Sequence, residues 1–238
     1  MITLEQAGTI ARDAALAAWN RNIVEPKKPG TELASAAEVD RMIRTPAGID
    51  WYWNQRFDAD GEFEWCGAFA AFAWAHAGLD LDLRRLYYSS TGRLSAYAAY
   101  QFYFGTPNER EVCSRFLVPR KSEDRRVRIV LDENSTLEDL GAFVPRAGDI
   151  LLVGTPGTRM GTHVCVVDEW DRERRGASTI EGNCRGVFPD GTDTSHVNGG
   201  AQGVTRNFRT VGRVRGQNAP HIRRIIRPAL HDLTGAKA

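Results

Sequence analysis

The chain has 238 residues, of which 42% are hydrophobic and 26% charged, and its formal net charge is +1. This length is typical of one large domain or two small ones, with enough apolar residues for a sizeable core. The near-zero charge argues against a protein built to bind nucleic acid, and the longest apolar run, around residues 66–77, is too short to span a membrane. The first residues lack a basic stretch followed by an apolar one, so no conventional signal peptide is expected.

Basic residues concentrate at the C-terminal end of the chain. Residues 201–238 contain eight Lys or Arg and one acid, so this segment carries +7 and the remainder −6. An anionic polymer such as a cell-wall glycan would fit such a segment. Because Val204, Phe208 and Val211 interleave with the arginines, the favoured interpretation is a strand whose basic face is solvated.

The N-terminal half of the chain is predicted to be helical. A first helix covers Leu4 to Trp19, with Thr3 and Gln6 placed to form a capping box. Its expected apolar stripe consists of Ile10, Ala14, Leu16 and Ala17. Further helices are predicted at 36–43 and 87–104, and a helix from Cys66 to Ala77 should end at Gly78 as its C-cap. The charged stretch 120–128 is expected to be an exposed loop or hairpin.

From residue 144 onward the periodicity changes to that of β-strands. Strands are predicted at 149–153, 163–170, 178–183, 203–209 and 222–226. Helices followed by an antiparallel sheet indicate the α+β class.

Four cysteines are spread along the chain without CxxC spacing: Cys66, Cys113, Cys165 and Cys184. In a chain of this length they do not predict a disulfide framework, and a metal site drawn from Cys165, Cys184, His163 and His196 lacks paired-ligand spacing. No metal and no cofactor are therefore expected. The cysteines are either inert thiols or one of them performs chemistry.

Cys66 differs from the others because it stands between a turn rich in Asp and Gly and an apolar helix. Unpaired backbone N–H groups at a helix N-terminus favour a thiolate, and the N–H of Cys66 itself can face an oxyanion. The helix is apolar on nearly all sides, so it should be buried and should hold the cysteine rigidly. Taken alone, however, a cysteine before an apolar helix is more often a core residue.

His163 opens a predicted strand and is the candidate base for this thiol. A histidine in that role needs a third group that fixes its tautomer, and the next strand offers Glu181 and Asn183. A hairpin centred near Glu173 would place His163 opposite Asn183 and Cys165 opposite Glu181, all on one face of the sheet. A register shifted by one residue would separate them.

Four short motifs follow one another along the chain: Trp65-Cys66-Gly67-Ala68-Phe69, Pro145-Arg146-Ala147-Gly148-Asp149-Ile150, Thr162-His163-Val164 and Ile180-Glu181-Gly182-Asn183. In this order they resemble the CHAP-type amidases of the NlpC/P60, papain-like superfamily, over residues 50–228. The resemblance implies a papain-like α+β fold with N-terminal helices packed on a central antiparallel sheet. It also implies cysteine-dependent cleavage of amide bonds, typically in bacterial peptidoglycan peptides.

The resemblance assigns a role to each site residue. Cys66 would be the nucleophile, His163 the general base and then acid, and Glu181 the group that orients His163. Asn183 would support this arrangement, or would orient His163 if Glu181 pointed away. Tyr52, Trp53 and Trp65 could line a peptide groove, although aromatic packing in the core explains them equally well.

The same resemblance divides the chain into three parts. Residues 1–48 would be an N-terminal helical extension, and residues 49–230 the catalytic domain. The spacing between the cysteine and the Gly-Asp turn exceeds that of compact family members, so residues 87–143 are predicted to be an insertion that shapes a cleft, forms a lid or binds a partner.

Three functions remain open at this stage. They are hydrolysis of peptidoglycan peptides, thiol acyl transfer or deamidation on a protein, and non-catalytic binding of wall peptides. The expected partner is the peptidoglycan peptide, with no nucleic acid and no membrane span, and an antibacterial effector would also meet an immunity or inhibitor protein. Synthesis in the bacterial cytoplasm and delivery to the periplasm or wall, by a secretion machine or by lysis as for a phage lysin, would fit the N-terminal sequence.

Overall fold

A computed structural model describes residues 2–23, 66–78, 127–154, 163–193, 203–214 and 219–227. Within these ranges lie helices α1 (Leu4–Asn20) and α2 (Cys66–His76) and a 3-10 helix at Glu138–Leu140. The strands are β1 (Val127–Val130), β2 (Ile150–Gly154), β3 (His163–Asp171), β4 (Gly176–Cys184), β5 (Gly203–Thr210) and β6 (His221–Arg227). The helices predicted at 36–43 and 87–104 lie outside the described residues.

The six strands form one antiparallel sheet with the order β1-β6-β2-β3-β4-β5. Every residue of β2 is buried, so both faces of the sheet are covered at its centre. The sheet curls, as is seen from the parallel bridge between Val211, which follows β5, and Ile222 of β6. The arrangement is therefore of the mixed α+β class, as the sequence predicts.

The predicted strands are found, but one further strand was missed. Val127–Val130 pairs with β6 as an edge strand of the sheet, although the charged stretch 120–128 was expected to be a loop or hairpin. Its short Val-Arg-Ile-Val pattern alternates as a strand does, and the neighbouring charges hid it. None of the helices in the described ranges is long and apolar enough to cross a bilayer.

Helix α1 begins with the predicted cap. The Thr3 hydroxyl accepts a hydrogen bond from the Gln6 backbone N–H, and the Gln6 side chain accepts one from the Thr3 N–H. The predicted apolar stripe is wrong, however, because Ile10 is 38% exposed. The buried face consists of small residues instead: Ala7, Gly8, Ala11, Ala15 and Ala18. A face without large side chains allows the helix to approach its neighbours closely.

That close approach is made at the turn before β2. The Cα of Gly8 and that of Gly148 lie so close that a Cβ on Gly148 would come within 2.2 Å of the Gly8 carbonyl oxygen. Gly148 also has φ +83°, which non-glycine residues rarely adopt. The far end of α1 is tied to the sheet, since the Trp19 indole donates to the carbonyl of Val187 at 2.9 Å.

The same turn fastens helix α2 and strand β6. The Trp74 indole of α2 donates to the Gly148 carbonyl at 2.8 Å, in a buried contact. Asp149 accepts two hydrogen bonds from the Arg227 guanidinium, at 2.7 and 2.6 Å, and one from the Arg146 N–H. Strand β3 joins the turn as well, because Val167 donates to the Asp149 carbonyl. The turn thus sets the position of α2 relative to β3.

Arginines of the C-terminal basic segment pair with carboxylates from the rest of the chain. The pairs are Arg206 with Asp168, Arg209 with Glu181, Arg223 with Glu133 and Arg227 with Asp149. The side chains of Arg209 and Arg223 are only 9% and 6% exposed. The interpretation of this segment as a solvated basic face is therefore wrong for Arg209 and Arg223, whereas the Arg206 side chain is 39% exposed beside Asp168.

Candidate active site

Cys66 is the first residue of helix α2 and is 2% exposed. The helix behind it buries Phe69, Ala70, Ala73 and Trp74, and Gly78 follows with φ +86°. Helix α2 packs on strands β3 and β4. The predicted position of this cysteine at the start of a buried helix is confirmed.

His163 and Glu181 lie on the two strands of one hairpin. Strand β3 pairs with β4 through Val166 opposite Ile180 and Val167 opposite Thr179, in the predicted register. The ladder begins at Val166, so it does not itself include the predicted pairs of His163 with Asn183 and Cys165 with Glu181. A bulge follows toward the turn, beyond Val167. Since side chains alternate along a strand, this register directs His163 and Glu181 to the same face.

The imidazole of His163 is the meeting point of the site. Its Nε2 lies 3.0 Å from Oε2 of Glu181, and the side chains of Cys66 and Cys184 lie close enough to raise the pKa of the ring. Burial alone would lower the pKa of His163, but the contacts with Cys184, Cys66 and Glu181 outweigh burial and raise it well above 6.5. His163 is therefore favoured as an imidazolium at neutral pH.

Glu181 is fully buried and receives four hydrogen bonds. Its Oε1 accepts from the Thr179 hydroxyl at 2.5 Å and from Arg209 Nε at 2.7 Å. Its Oε2 accepts from the Arg209 terminal nitrogen at 2.5 Å and from the His163 ring at 3.0 Å. Four donors match the four lone pairs of a carboxylate, so the orientation of this group is fully determined.

These contacts keep Glu181 ionised. Burial by itself would raise the pKa of Glu181, but the charge and hydrogen bonds of Arg209, together with those of His163, hold it well below 4.5. The Glu181 carboxylate in turn raises the pKa of the buried Arg209 guanidinium. An ionised carboxylate beside Nε2 can orient and stabilise a protonated imidazole. All four lone pairs of this carboxylate already accept hydrogen bonds, so none is available to a further donor.

Arg209 and Thr179 are site residues that the sequence analysis did not single out. Strand β4 pairs with β5 through Ala177 opposite Arg209, Thr179 opposite Asn207 and Glu181 opposite Thr205. This register places Arg209 on the face of Glu181, within reach of a long side chain. A buried, ionised glutamate needs a cationic partner, so the expected burial of Glu181 predicts that one exists. Which arginine takes this place depends on how the strands pair.

Cys165 and Cys184 differ from each other in their surroundings. Cys165 is fully buried, and burial together with the neighbouring Glu181 charge raises its pKa well above 9.0, which favours the neutral thiol. Cys184 is partly exposed and lies 3.5 Å from the terminal nitrogen of Arg209. Burial and the neighbouring Glu181 raise the pKa of Cys184, which favours its neutral thiol form. Cys184 thus lies beside the site, as its position next to Asn183 suggests.

His163, Glu181 and Cys184 offer ligand atoms within 4.8 Å of one another, the spacing of a potential metal site. The carboxylate oxygens of Glu181 are already filled by Arg209, Thr179 and His163. A cation at this position would have to displace one of these donors and would face the Arg209 charge. This donor set therefore fits a metal ion poorly.

The remaining predicted site residues are not described at the level of side chains. Asn183 belongs to β4, but its side chain is outside what the structure describes. Tyr52, Trp53 and Trp65, predicted to line a groove, and Cys113 lie outside the described residues. Of the predicted set, the structure thus brings together Cys66, His163 and Glu181.

No family model, no curated protein and no solved structure matches this chain.

Proposed function

We propose that this chain is a cysteine-dependent hydrolase that cleaves amide bonds in bacterial peptidoglycan peptides, with a papain-like fold of the CHAP type. The observation that carries the proposal is the junction at His163, whose Nε2 contacts Glu181 at 3.0 Å while Cys66, at the start of helix α2, lies close enough to raise the pKa of the same ring. These are the three residues to which the motif resemblance gives the roles of base, orienting acid and nucleophile.

The proposed reaction is a two-step acyl transfer. The Cys66 thiolate attacks the peptide carbonyl, and the backbone N–H of Cys66 stabilises the oxyanion of the tetrahedral intermediate. The imidazolium of His163 then protonates the leaving amine, which breaks the C–N bond and leaves a thioester on Cys66. Neutral His163 next removes a proton from water, and the resulting hydroxide attacks the thioester. The C–S bond then breaks, so the carboxylic acid leaves and the Cys66 thiolate and the His163 imidazolium are restored. Glu181 stays ionised throughout and stabilises the charged ring.

The proposal is tested by incubating purified peptidoglycan with the wild type, Cys66→Ala and Cys165→Ala, followed by mass spectrometry of the fragments. Loss of the nucleophile should lower the cleavage rate by about 10³-fold or more. Cys165→Ala is the matched control because it removes a buried thiol that donates its hydrogen bond to the Leu151 carbonyl. Absence of fragments with both wild type and control would contradict the substrate assignment.

The same mass spectra separate hydrolysis from the two alternatives. New free amino and carboxyl ends indicate hydrolysis, whereas a mass gain at an acceptor amine indicates acyl transfer. A Cys66→Ala protein that keeps its full biological effect would instead indicate a binding protein.

Alkylation with iodoacetamide tests the nucleophile without any substrate. Cys66 should react faster at neutral pH than Cys165 and Cys184, whose pKa values are raised by burial. Peptide mapping of the alkylated protein identifies the modified thiol. Faster labelling of Cys184 than of Cys66 would move the nucleophile to the end of β4.

A further inference from the structure

Arg209 holds the acid of the candidate triad in one orientation. Its guanidinium binds Glu181 with two parallel hydrogen bonds, from Nε to Oε1 at 2.7 Å and from the terminal nitrogen to Oε2 at 2.5 Å. The Arg209 side chain is 9% exposed and that of Glu181 is fully buried, so little water competes for these bonds. A two-pronged pair fixes both the position and the plane of a carboxylate.

The Oε2 atom that Arg209 fixes is also the atom that contacts His163. Its distance to Nε2 of the ring is 3.0 Å. Arg209 therefore acts on the imidazole through Glu181, because it determines both where Oε2 lies and whether it carries a charge. Without the guanidinium, burial would favour the neutral acid at Glu181, and a neutral acid stabilises an imidazolium poorly.

We propose that Arg209 is a positioning residue of this site, which keeps Glu181 ionised and aligned so that His163 remains protonated opposite Cys66. The inference rests on the proposed function in so far as the triad is catalytic. It goes beyond that function because neither the motifs nor the resemblance assigns any role to Arg209.

The site contains a second contact of the same guanidinium. The terminal nitrogen of Arg209 lies 3.5 Å from Sγ of Cys184, whose side chain also helps to raise the pKa of His163. Arg209 thus places a fixed positive charge beside both Glu181 and Cys184. Since Arg209 and His163 are both cationic, Glu181 between them is needed to hold the two charges together.

Arg227 provides a matched control for substitutions of Arg209. It makes the same two-pronged contact with a buried carboxylate, at 2.7 and 2.6 Å from Asp149, at the turn before β2. Removing either guanidinium leaves a buried acid without its cation, so both substitutions should lower stability. Only the Arg209 substitution should also change the protonation of His163.

The experiment follows the ring nitrogens of ¹⁵N-labelled histidine by NMR over pH, with the His163 signal assigned from its loss in His163→Gln. In the wild type, His163 should stay protonated to well above pH 6.5. In Arg209→Met its titration midpoint should fall by about 1–2 pH units, because Glu181 loses the charge that keeps it ionised. Arg209→Lys keeps a cation but loses the two-pronged geometry, so it should give an intermediate midpoint.

Arg227→Met and Arg227→Lys should leave the His163 midpoint where it is in the wild type. An unchanged midpoint in a folded Arg209→Met protein would overturn the inference, as would an equal shift in Arg227→Met. If Arg209→Met fails to fold, the Arg209→Lys and Arg227→Lys pair carries the same comparison, since both retain the buried charge.

The rate of Cys66 alkylation at neutral pH gives a second measurement on the same proteins. Because a neighbouring cation favours the reactive form of a thiol, this rate should fall in Arg209→Met, where His163 loses its charge more readily. Neither measurement uses peptidoglycan. If the His163 midpoint shifts in Arg209→Met but the wild type cleaves no peptidoglycan, the role of Arg209 stands and the substrate assignment is rejected. If the wild type cleaves peptidoglycan but the midpoint does not shift, only the role of Arg209 is rejected.

Discussion

Two buried arginine–carboxylate pairs with nearly the same geometry stand at different places in this fold. Arg209 binds Glu181 at the candidate site, and Arg227 binds Asp149 at the turn before β2. Both guanidinium groups use two nitrogens on two carboxylate oxygens. The pKa directions are nevertheless opposite. At Asp149 burial outweighs the arginine and raises the pKa, whereas at Glu181 the surrounding donors and charges outweigh burial and lower it.

The other partners of each acid explain this difference. Glu181 has a second cationic neighbour in His163 and a hydroxyl donor in Thr179. Among the described residues, Asp149 has the backbone N–H of Arg146 as its further hydrogen-bond donor, and the charge of Arg146 is the smallest of the effects that lower its pKa. The Arg227–Asp149 pair joins two elements of the fold, and a single arginine is sufficient for that. The Arg209–Glu181 pair supports a histidine that titrates, so it must keep the buried acid ionised. The geometry of an arginine–carboxylate pair therefore does not reveal its role in the fold. The role is indicated by the further groups that contact the carboxylate.

The largest expected effect separates the two pairs by activity. Glu181→Gln should lower the rate of peptidoglycan cleavage by about 10²–10⁴-fold, because a neutral amide neither fixes the His163 tautomer nor stabilises its charge. Rates are to be measured per folded protein, with the folded fraction taken from circular dichroism. A folded Glu181→Gln protein with wild-type activity would remove Glu181 from the site.

Asp149→Asn is expected to affect stability and leave the chemistry unchanged. The amide offers the Arg227 guanidinium one acceptor oxygen in place of two, so a buried donor loses its partner, which should lower the free energy of unfolding by about 1–3 kcal/mol. Urea denaturation measures this change. The rate of peptidoglycan cleavage per folded molecule of Asp149→Asn should equal that of the wild type. A loss of activity as large as that of Glu181→Gln would show that the turn also takes part in catalysis.

The pH dependence of stability sharpens the comparison at His163. Its pKa in the folded state is raised above the ordinary 6.5, so its favourable contribution is complete below that value and is lost as the pH rises through the folded pKa. The difference in free energy of unfolding between the wild type and His163→Gln should therefore shrink from pH 6 toward alkaline pH. Urea denaturation of both proteins across this range checks the sign, and a difference that grows with pH would contradict it.

A further expected effect concerns Thr179. Thr179→Val removes one hydroxyl donor to Oε1 of Glu181 and leaves Arg209 and His163 in place. A hydrogen bond to a charged group contributes about 1.5–3 kcal/mol, so urea denaturation should show a stability loss of that order. Activity should fall less than in Glu181→Gln, and an equal fall would mean that the hydroxyl matters as much as the carboxylate charge.

The local features of this fold were predictable from the sequence, and the contacts between distant elements were not. The capping box of α1, the start of α2 at Cys66 and the β3–β4 register follow from local patterns. The hairpin register was sufficient to bring His163 and Glu181 together. Both residues lie on neighbouring strands of one short hairpin.

The failures concern packing between elements that are far apart in sequence. Ile10 was expected on the buried face of α1. The close contact between Gly8 and Gly148 instead favours a buried face of small residues. Arg209 was interpreted as a solvated residue, because its alternation with apolar neighbours does not reveal that β5 lies beside β4. Strand pairing and helix approach depend on the whole sheet, which no local pattern encodes.

The order of the strands has a consequence for how the chain folds. β6 lies between β1 and β2, so the last described strand along the chain occupies an interior place in the sheet. The hairpin of β3 and β4 can form from local contacts, and β5 can add to it, while β2 still has an open edge. Arg227 must reach Asp149 across 78 residues of chain before that edge is covered. During synthesis, the half that carries His163 and Glu181 therefore exposes an unpaired apolar strand until residues 221–227 emerge, which is the interval of greatest aggregation risk.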